Sequence, residues 1–202
     1  MTFKTYLLIG ALTSVFGGVS YAQLRIPTFD VEIKINQNLI PGSGDGDGQI
    51  EFVETTNVYA GAHVQINQYV ALGGFYSRSF RGTGKIHYDN NNSVNKEVLF
   101  LQKGLDIRLS TSRAKKWRKY LVVSYTQIEM VRVDEALRLA AKTNAFGGNL
   151  GIMRRLSNNL YLNVIELGLK VMSDDIFWFG TTKDIFIVDA KMGLTYNIGK
   201  RK

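Results

Sequence analysis

The stretch that most constrains this chain lies just before its C-terminal tail. From Phe186 to Ile198 the sequence reads FIVDAKMGLTYNI. Phe186, Val188, Ala190, Met192, Leu194, Tyr196 and Ile198 take every second position. Asp189, Lys191, Gly193, Thr195 and Asn197 fall between them, with Ile187 the one exception. Successive side chains on a strand point to opposite faces, so the pattern predicts one two-faced strand. Its length matches the ~9–11 residues that a tilted strand needs to cross a bilayer.

Within this strand, Lys191-x-Gly193-x-x-Tyr196-x-Ile198 places a polar residue, a glycine, an aromatic and a hydrophobe in order. The spacing resembles the C-terminal β-signal of bacterial outer-membrane barrels. The resemblance implies that Lys191, Gly193, Tyr196 and Ile198 are read by the barrel-assembly machinery. The usual signal closes on an aromatic, whereas here Ile198 is followed by Gly199-Lys200-Arg201-Lys202.

Residues 1–22 carry the pattern of a cleavable export signal. Lys4 supplies a positive start, Tyr6 to Gly18 an apolar run too short for a stable transmembrane helix, and Ser20-Tyr21-Ala22 the small residues before a cleavage site at Gln23. The chain has no cysteine, which excludes a lipoprotein anchor, a disulfide framework and thiolate chemistry. Residues 23–202 are expected to form one domain. Beyond the signal segment no run of 18 or more apolar residues occurs, so the choice is between an exported soluble protein and a barrel. The formal charge of +8 suits anionic headgroups or lipopolysaccharide phosphates, because an exported protein rarely meets nucleic acid.

Alternation predicts seven further strands. They cover Phe29–Asn36, Thr55–Ile66, Tyr69–Phe80, Glu97–Leu109, Lys119–Val133, Asn144–Arg155 and Leu160–Met172. The hairpin AGAHVQINQYVALGGFY, around Asn67-Gln68, resembles the membrane hairpins of small OmpA/OmpX-type barrels. A glycine-rich loop is expected from Gln37 to Gln49, a polar loop over Arg81–Lys96, and a short helical loop over Asp134–Thr143. The connections alternate long and short, as in outer-membrane barrels with long outer loops and short periplasmic turns. The expected fold is therefore all-β: an eight-stranded antiparallel up-and-down transmembrane barrel with both termini on the periplasmic side.

Alternation alone leaves open which face meets lipid. A soluble lipocalin-like periplasmic barrel has the same period. In the membrane reading, Glu32, Lys34, Glu129, Glu166, Lys170, Asp189 and Lys191 form a mutually paired charge network in the lumen, together with Asp106 and Arg108. On the fifth strand, Tyr120, Val122, Ile128 and Met130 are expected outward and Gln127 and Glu129 inward. On the seventh, Tyr161, Ile165, Leu167, Leu169 and Val171 are expected outward. Eight strands enclose a lumen just wide enough for side chains to fill it, which argues against a large pore.

Chemistry is sparse. Some outer-membrane barrels modify lipid A or phospholipid with a histidine, a serine and an acid. Here His63 is expected inside near the periplasmic end, away from lipid A, and His87 in a loop near Asp89 and Ser79. Ser43, Asp45, Asp47 and Glu54, with Gly48 between, match the oxygen spacing of a calcium loop, although position 1 is serine and no helices flank it. No cofactor is implied. Arg108, Arg113, Lys115, Lys116, Arg118, Lys119, Arg154, Arg155 and Lys200–Lys202 gather toward the periplasmic rim, suited to anionic headgroups or a periplasmic partner. Ile176-Phe177-Trp178-Phe179 fits an outer aromatic girdle or a surface contact. The expected role is non-enzymatic: a structural, surface-interaction or envelope-machinery barrel in the outer membrane.

Overall fold

A computed structural model describes residues 28–41, 50–88, 92–111, 115–133, 138–172 and 185–199. Eight strands follow one another: β1 (Phe29–Pro41), β2 (Ile50–Gln65), β3 (Val70–Tyr88), β4 (Asn92–Ser110), β5 (Trp117–Val133), β6 (Arg138–Arg155), β7 (Leu160–Met172) and β8 (Phe186–Ile198). Each pairs antiparallel with the next, and β1 closes on β8 from Phe29↔Ile198 to Leu39↔Val188. Closure of β1 on β8 leaves the sheet without a free edge strand among the described residues. The expected eight-stranded antiparallel barrel is thus the fold observed. The segment 1–22, with its export-signal pattern, lies outside the described residues.

The strands extend past the expected boundaries at the end carrying the long links. β1 runs on to Pro41, and β3 and β4 continue their pairing to Tyr88↔Asn92 through the segment expected as a polar loop. Apolar alternation fades there, but backbone pairing needs no apolar side chains. The helical expectation for Asp134–Thr143 is corrected over its second half. Arg138–Thr143 belong to β6 and pair with Ile128–Val133 of β5. Ladder pairing with β5 overrides the helix propensity of that segment. Residues 134–137 lie outside the described residues.

At the opposite end, where Phe29 pairs with Ile198, the links after β2 and β6 are tight. Tyr69 N and Val70 N donate to Asn67 Oδ1 at 2.8 and 2.9 Å, so the Asn67 side chain caps the first turn. Ser157 Oγ accepts from Leu160 N at 3.2 Å in the third.

Two expected facings are corrected. On β5, Tyr120, Val122, Ile128 and Met130 are buried in the lumen, and Gln127 and Glu129 point outward. Directly paired residues of neighbouring strands share a face, and Asp106 and Arg108 pair with Ser124 and Val122. The facing of β4 therefore fixes that of β5. On β7 the alternation is broken: Val164 and Ile165 are both exposed, where the pairing with β6 and β8 shifts register. This bulge reverses the phase below it, so Tyr161 is buried inside while Ile165, Leu167 and Leu169 face outward.

Candidate functional site

The distribution of polarity is inverted relative to a water-soluble barrel. Outward positions are apolar and open: Ile33 is 63 % exposed, Leu105 70 % and Leu150 67 %. Inward positions are charged and sealed: Glu32 and Asp189 are 0 % exposed and Lys34 and Lys170 1 %. Besides His63, the buried charged side chains among the described residues balance five against five: Asp30, Glu32, Asp106, Glu166 and Asp189 against Lys34, Arg108, Arg118, Lys170 and Lys191. A buried charge is tolerable only when paired and hydrogen-bonded, and this interior meets that condition.

Two glutamates hold the centre. Glu32 on β1 receives both terminal nitrogens of Arg108 on β4, Nη1 on Oε1 and Nη2 on Oε2, the second at 2.8 Å. This two-pronged geometry matches the planar guanidinium to the carboxylate. Lys34 Nζ lies 2.8 Å from Glu32 Oε2 and donates to Glu166 Oε2 at 2.6 Å. Glu166 on β7 also accepts from Lys191 Nζ at 2.8 Å and from the Tyr120 hydroxyl at 2.8 Å. Lys191 continues to Asp189 Oδ1 at 3.4 Å, and Lys170 lies 3.2 Å from Asp189 Oδ2. Lys170 donates to Gln102 Oε1 at 2.6 Å, and Gln102 donates to Asn38 Oδ1 at 3.2 Å. The network joins β1, β4, β5, β7 and β8 across the lumen.

Aromatic rings occupy the space between these charges. The Lys34 and Lys191 ammonium groups lie 5.2 and 5.5 Å from the Tyr59 ring centre, and the Arg108 guanidinium lies 5.0 Å from that of Tyr120. Their positive charge meets the electron-rich ring faces. Inward glycines make room for this filling. A Cβ at Gly151 would sit 2.2 Å from Tyr120 Cζ, and one at Gly168 2.0 Å from Asn149 Nδ2. Toward the long-link end the lumen turns apolar, where Ile40, Val53, Phe100, Ile128, Met130 and Ile187 pack together. Toward the terminus end, Arg118 donates to Ser110 Oγ at 2.6 Å and lies 5.5 Å from the Tyr161 ring centre.

Of the seven residues expected in the lumen charge network, Glu32, Lys34, Glu166, Lys170, Asp189 and Lys191 meet there. Glu129 does not. It faces outward, 3.6 Å from Lys142 Nζ. His63 is buried with its Nε2 2.7 Å from Asp106 Oδ1. His87 stands opposite Ser93 in the β3–β4 ladder, and Ser79 Oγ accepts from Phe100 N at 2.7 Å. Ser43, Asp45 and Asp47 of the calcium-type loop lie outside the described residues, and Glu54 Oε1 accepts from Gln37 Nε2 at 2.6 Å. In the assembly-signal pattern, Lys191 points inward, Tyr196 and Ile198 point outward, and a Cβ at Gly193 would meet Ile33 O at 2.2 Å. The apolar plug and the Tyr59–Tyr120 filling were not anticipated. Their signal was parity, since each falls on the same face of its strand as a charged or glycine residue.

A closed, eight-stranded antiparallel barrel is the fold of the small bacterial outer-membrane barrels. Among solved structures it is similar to Neisserial surface protein A, at 11 % identity over 83 % of this chain and 96 % of that one, with a TM-score of 0.63. It is similar also to OprG from Pseudomonas aeruginosa, at 8 % identity over 87 % and 98 % of the two chains, with a TM-score of 0.58. Ail of Yersinia pestis, solved with the heparin analogue sucrose octasulfate, gives 8 % identity, 85 % and 99 % coverage and a TM-score of 0.53. At these identities the likeness is one of fold. No family model matches the chain, and no curated protein matches it in sequence.

Proposed function

We propose that this protein is an integral outer-membrane barrel with a filled lumen, acting as a non-enzymatic structural, surface-interaction or envelope-machinery component. One observation carries the membrane reading: large apolar side chains cover the outside while paired charges fill the inside. A soluble lipocalin-like barrel requires the reverse, with apolar groups lining a ligand cavity and charges in water. On this reading residues 1–22 direct export through the Sec pathway and are removed, and residues 23–202 form the barrel. The pattern Lys191, Gly193, Tyr196 and Ile198 serves as the address for the assembly machinery, and β8 is the strand that closes on β1.

The filled-lumen reading is supported by the ionic network and the apolar plug stacked above it, which occupy the axis with side chains. The non-enzymatic reading is supported by His63, which is sealed beside Asp106 near the terminus end, away from the bilayer's outer surface. Membrane fractionation combined with gel mobility tests the proposal. The protein is expected to resist carbonate extraction from outer membranes and to migrate differently before and after boiling. Release into the soluble periplasmic fraction, with identical mobility in both samples, refutes it.

A further inference from the structure

Among the described residues the buried interior charges balance, so they contribute nothing to the +8 formal charge of the chain. One place where it gathers is the terminus-end rim of β5 and β6. Lys115, Lys116, Lys119 and Arg154 are exposed there and Arg155 is half-buried. The two strands bring them together. Trp117 pairs with Arg154 and Lys119 with Ile152 in the ladder, and Arg155 N donates to Lys116 O at 2.8 Å. Trp117 is 51 % exposed, and the Arg154 guanidinium lies 5.5 Å from its ring centre.

Two further observations give this patch a direction. Immediately beyond it the outward face becomes apolar, with Leu121 opposite Leu150 and Ile152 beside Lys119. Acyl chains resting on that face bring their headgroups level with Trp117, Lys119 and Arg154. Moreover, the rim offers no competing exposed carboxylate among the described residues. The acids Asp30 and Asp106 at this end are buried; Asp30 accepts from Asn197 Nδ2 at 2.7 Å and from Gln65, and Asp106 faces His63. The short links after β2, β4 and β6 contain no aspartate or glutamate. The exposed acids Glu54 and Glu97 and the half-buried Glu129 belong to the other end.

We propose that Trp117, Lys119 and Arg154, backed by Lys115 and Lys116, form a binding site for the phosphate headgroup of an anionic phospholipid in the periplasm-facing leaflet. The inference rests on the membrane-spanning reading above. An interfacial tryptophan fixes the depth of the site, and the cations around it supply the charge complement. Arg154 offers a planar donor fork to the phosphate, and Lys119 a point charge beside it.

The test uses the full chain carrying Trp178→Phe, which leaves Trp117 as the one tryptophan. The barrel is reconstituted in nanodiscs of phosphatidylcholine containing a fixed fraction of phosphatidylglycerol. Bromine is placed on the acyl chains of one lipid or the other. Brominated phosphatidylglycerol is expected to quench Trp117 in excess of its mole fraction. Lys119→Gln with Arg154→Gln should lower that preference by roughly fivefold per cation removed, and high salt should lower it likewise. Equal quenching by both lipids overturns the site, as does a preference that survives the double substitution. Failure of the membrane reading looks different: neither lipid then quenches Trp117, and boiled and unboiled samples migrate together.

Discussion

Glu166 ties together three strands of the interior besides its own. Its carboxylate takes two ammonium groups, from Lys34 and Lys191, and the hydroxyl of Tyr120, all within 2.8 Å. Removing its charge leaves both lysines with an excess of positive neighbours in a site sealed from water. Breaking a buried pair in this way costs about 3–5 kcal/mol, because the remaining charge cannot be rehydrated. Glu166→Gln is therefore expected to lower the unfolding free energy by about 3 kcal/mol in a urea titration of the micelle-embedded protein. Glu129→Gln serves as the comparison. That residue faces outward beside a largely exposed Lys142, so its loss should change stability by less than about 0.5 kcal/mol. Equal effects from the two substitutions would show that the interior network does not stabilise the barrel.

At the scale of the strand, β7 shows how one residue redirects a whole segment. The bulge at Val164–Ile165 places Glu166 and Lys170 in the lumen on one side and Tyr161 and Asn163 in the lumen on the other. Deleting Val164 restores strict alternation and forces a choice, because a slip of one residue exchanges the faces of everything beyond it. Either Tyr161 and Asn163 turn toward lipid or Glu166 and Lys170 do. The deletion variant is expected to lose heat-modifiable mobility; unaltered mobility would mean the bulge is dispensable. The bulge was illegible in the sequence, since Val164 and Ile165 suit a regular strand as well as a broken one. β8, by contrast, was read to its ends, because each of its inward positions from Asp189 to Asn197 is polar, charged or glycine and each outward one is hydrophobic. β5 was misread because its inward positions Val122, Ile128 and Met130 are as apolar as its outward ones. Hydrophobicity reports facing only where the two sides differ in solvent. Around these residues both the lumen and the outer face are dry, and the pairing of Asp106 and Arg108 with β5 carried the information instead.

The whole molecule is a wall of eight strands around an ionic middle and an apolar upper end. That arrangement bears on transport. On the proposed filled-lumen reading, side chains occupy the axis of a barrel this narrow, and the ionic network ties β1, β4, β5, β7 and β8 across it. In planar bilayers the protein is expected to give no stepwise conductance of the size produced by a water-filled pore. Sustained porin-sized steps would contradict the filled lumen. The barrel was legible in outline from strand count, alternation and link lengths. The plug was not, because its residues lie far apart in sequence and belong together only after closure.

The ionic network has a consequence for how the barrel comes into being. Lys34 and its partner Glu166 are separated by 132 residues, and Thr195 and Glu32, joined at 3.1 Å, by 163. These bonds cannot form while β1 and β8 are apart. Until then, the charges of β1 and β4 have water or each other, those of β7 and β8 likewise, and both sets lack the Lys34–Glu166 bond across the lumen. A half-built wall that entered hydrocarbon would carry incompletely paired charge with it, because the Lys34–Glu166 bond would be missing, at a cost of several kcal/mol. The same residues that quiet the interior of the finished barrel thus penalise premature insertion and reward the meeting of its two end strands. Contacts of such long sequence separation also make closure the slow event. Assembly is thereby biased toward an all-or-none step, in which ring closure and burial of the central charges happen together.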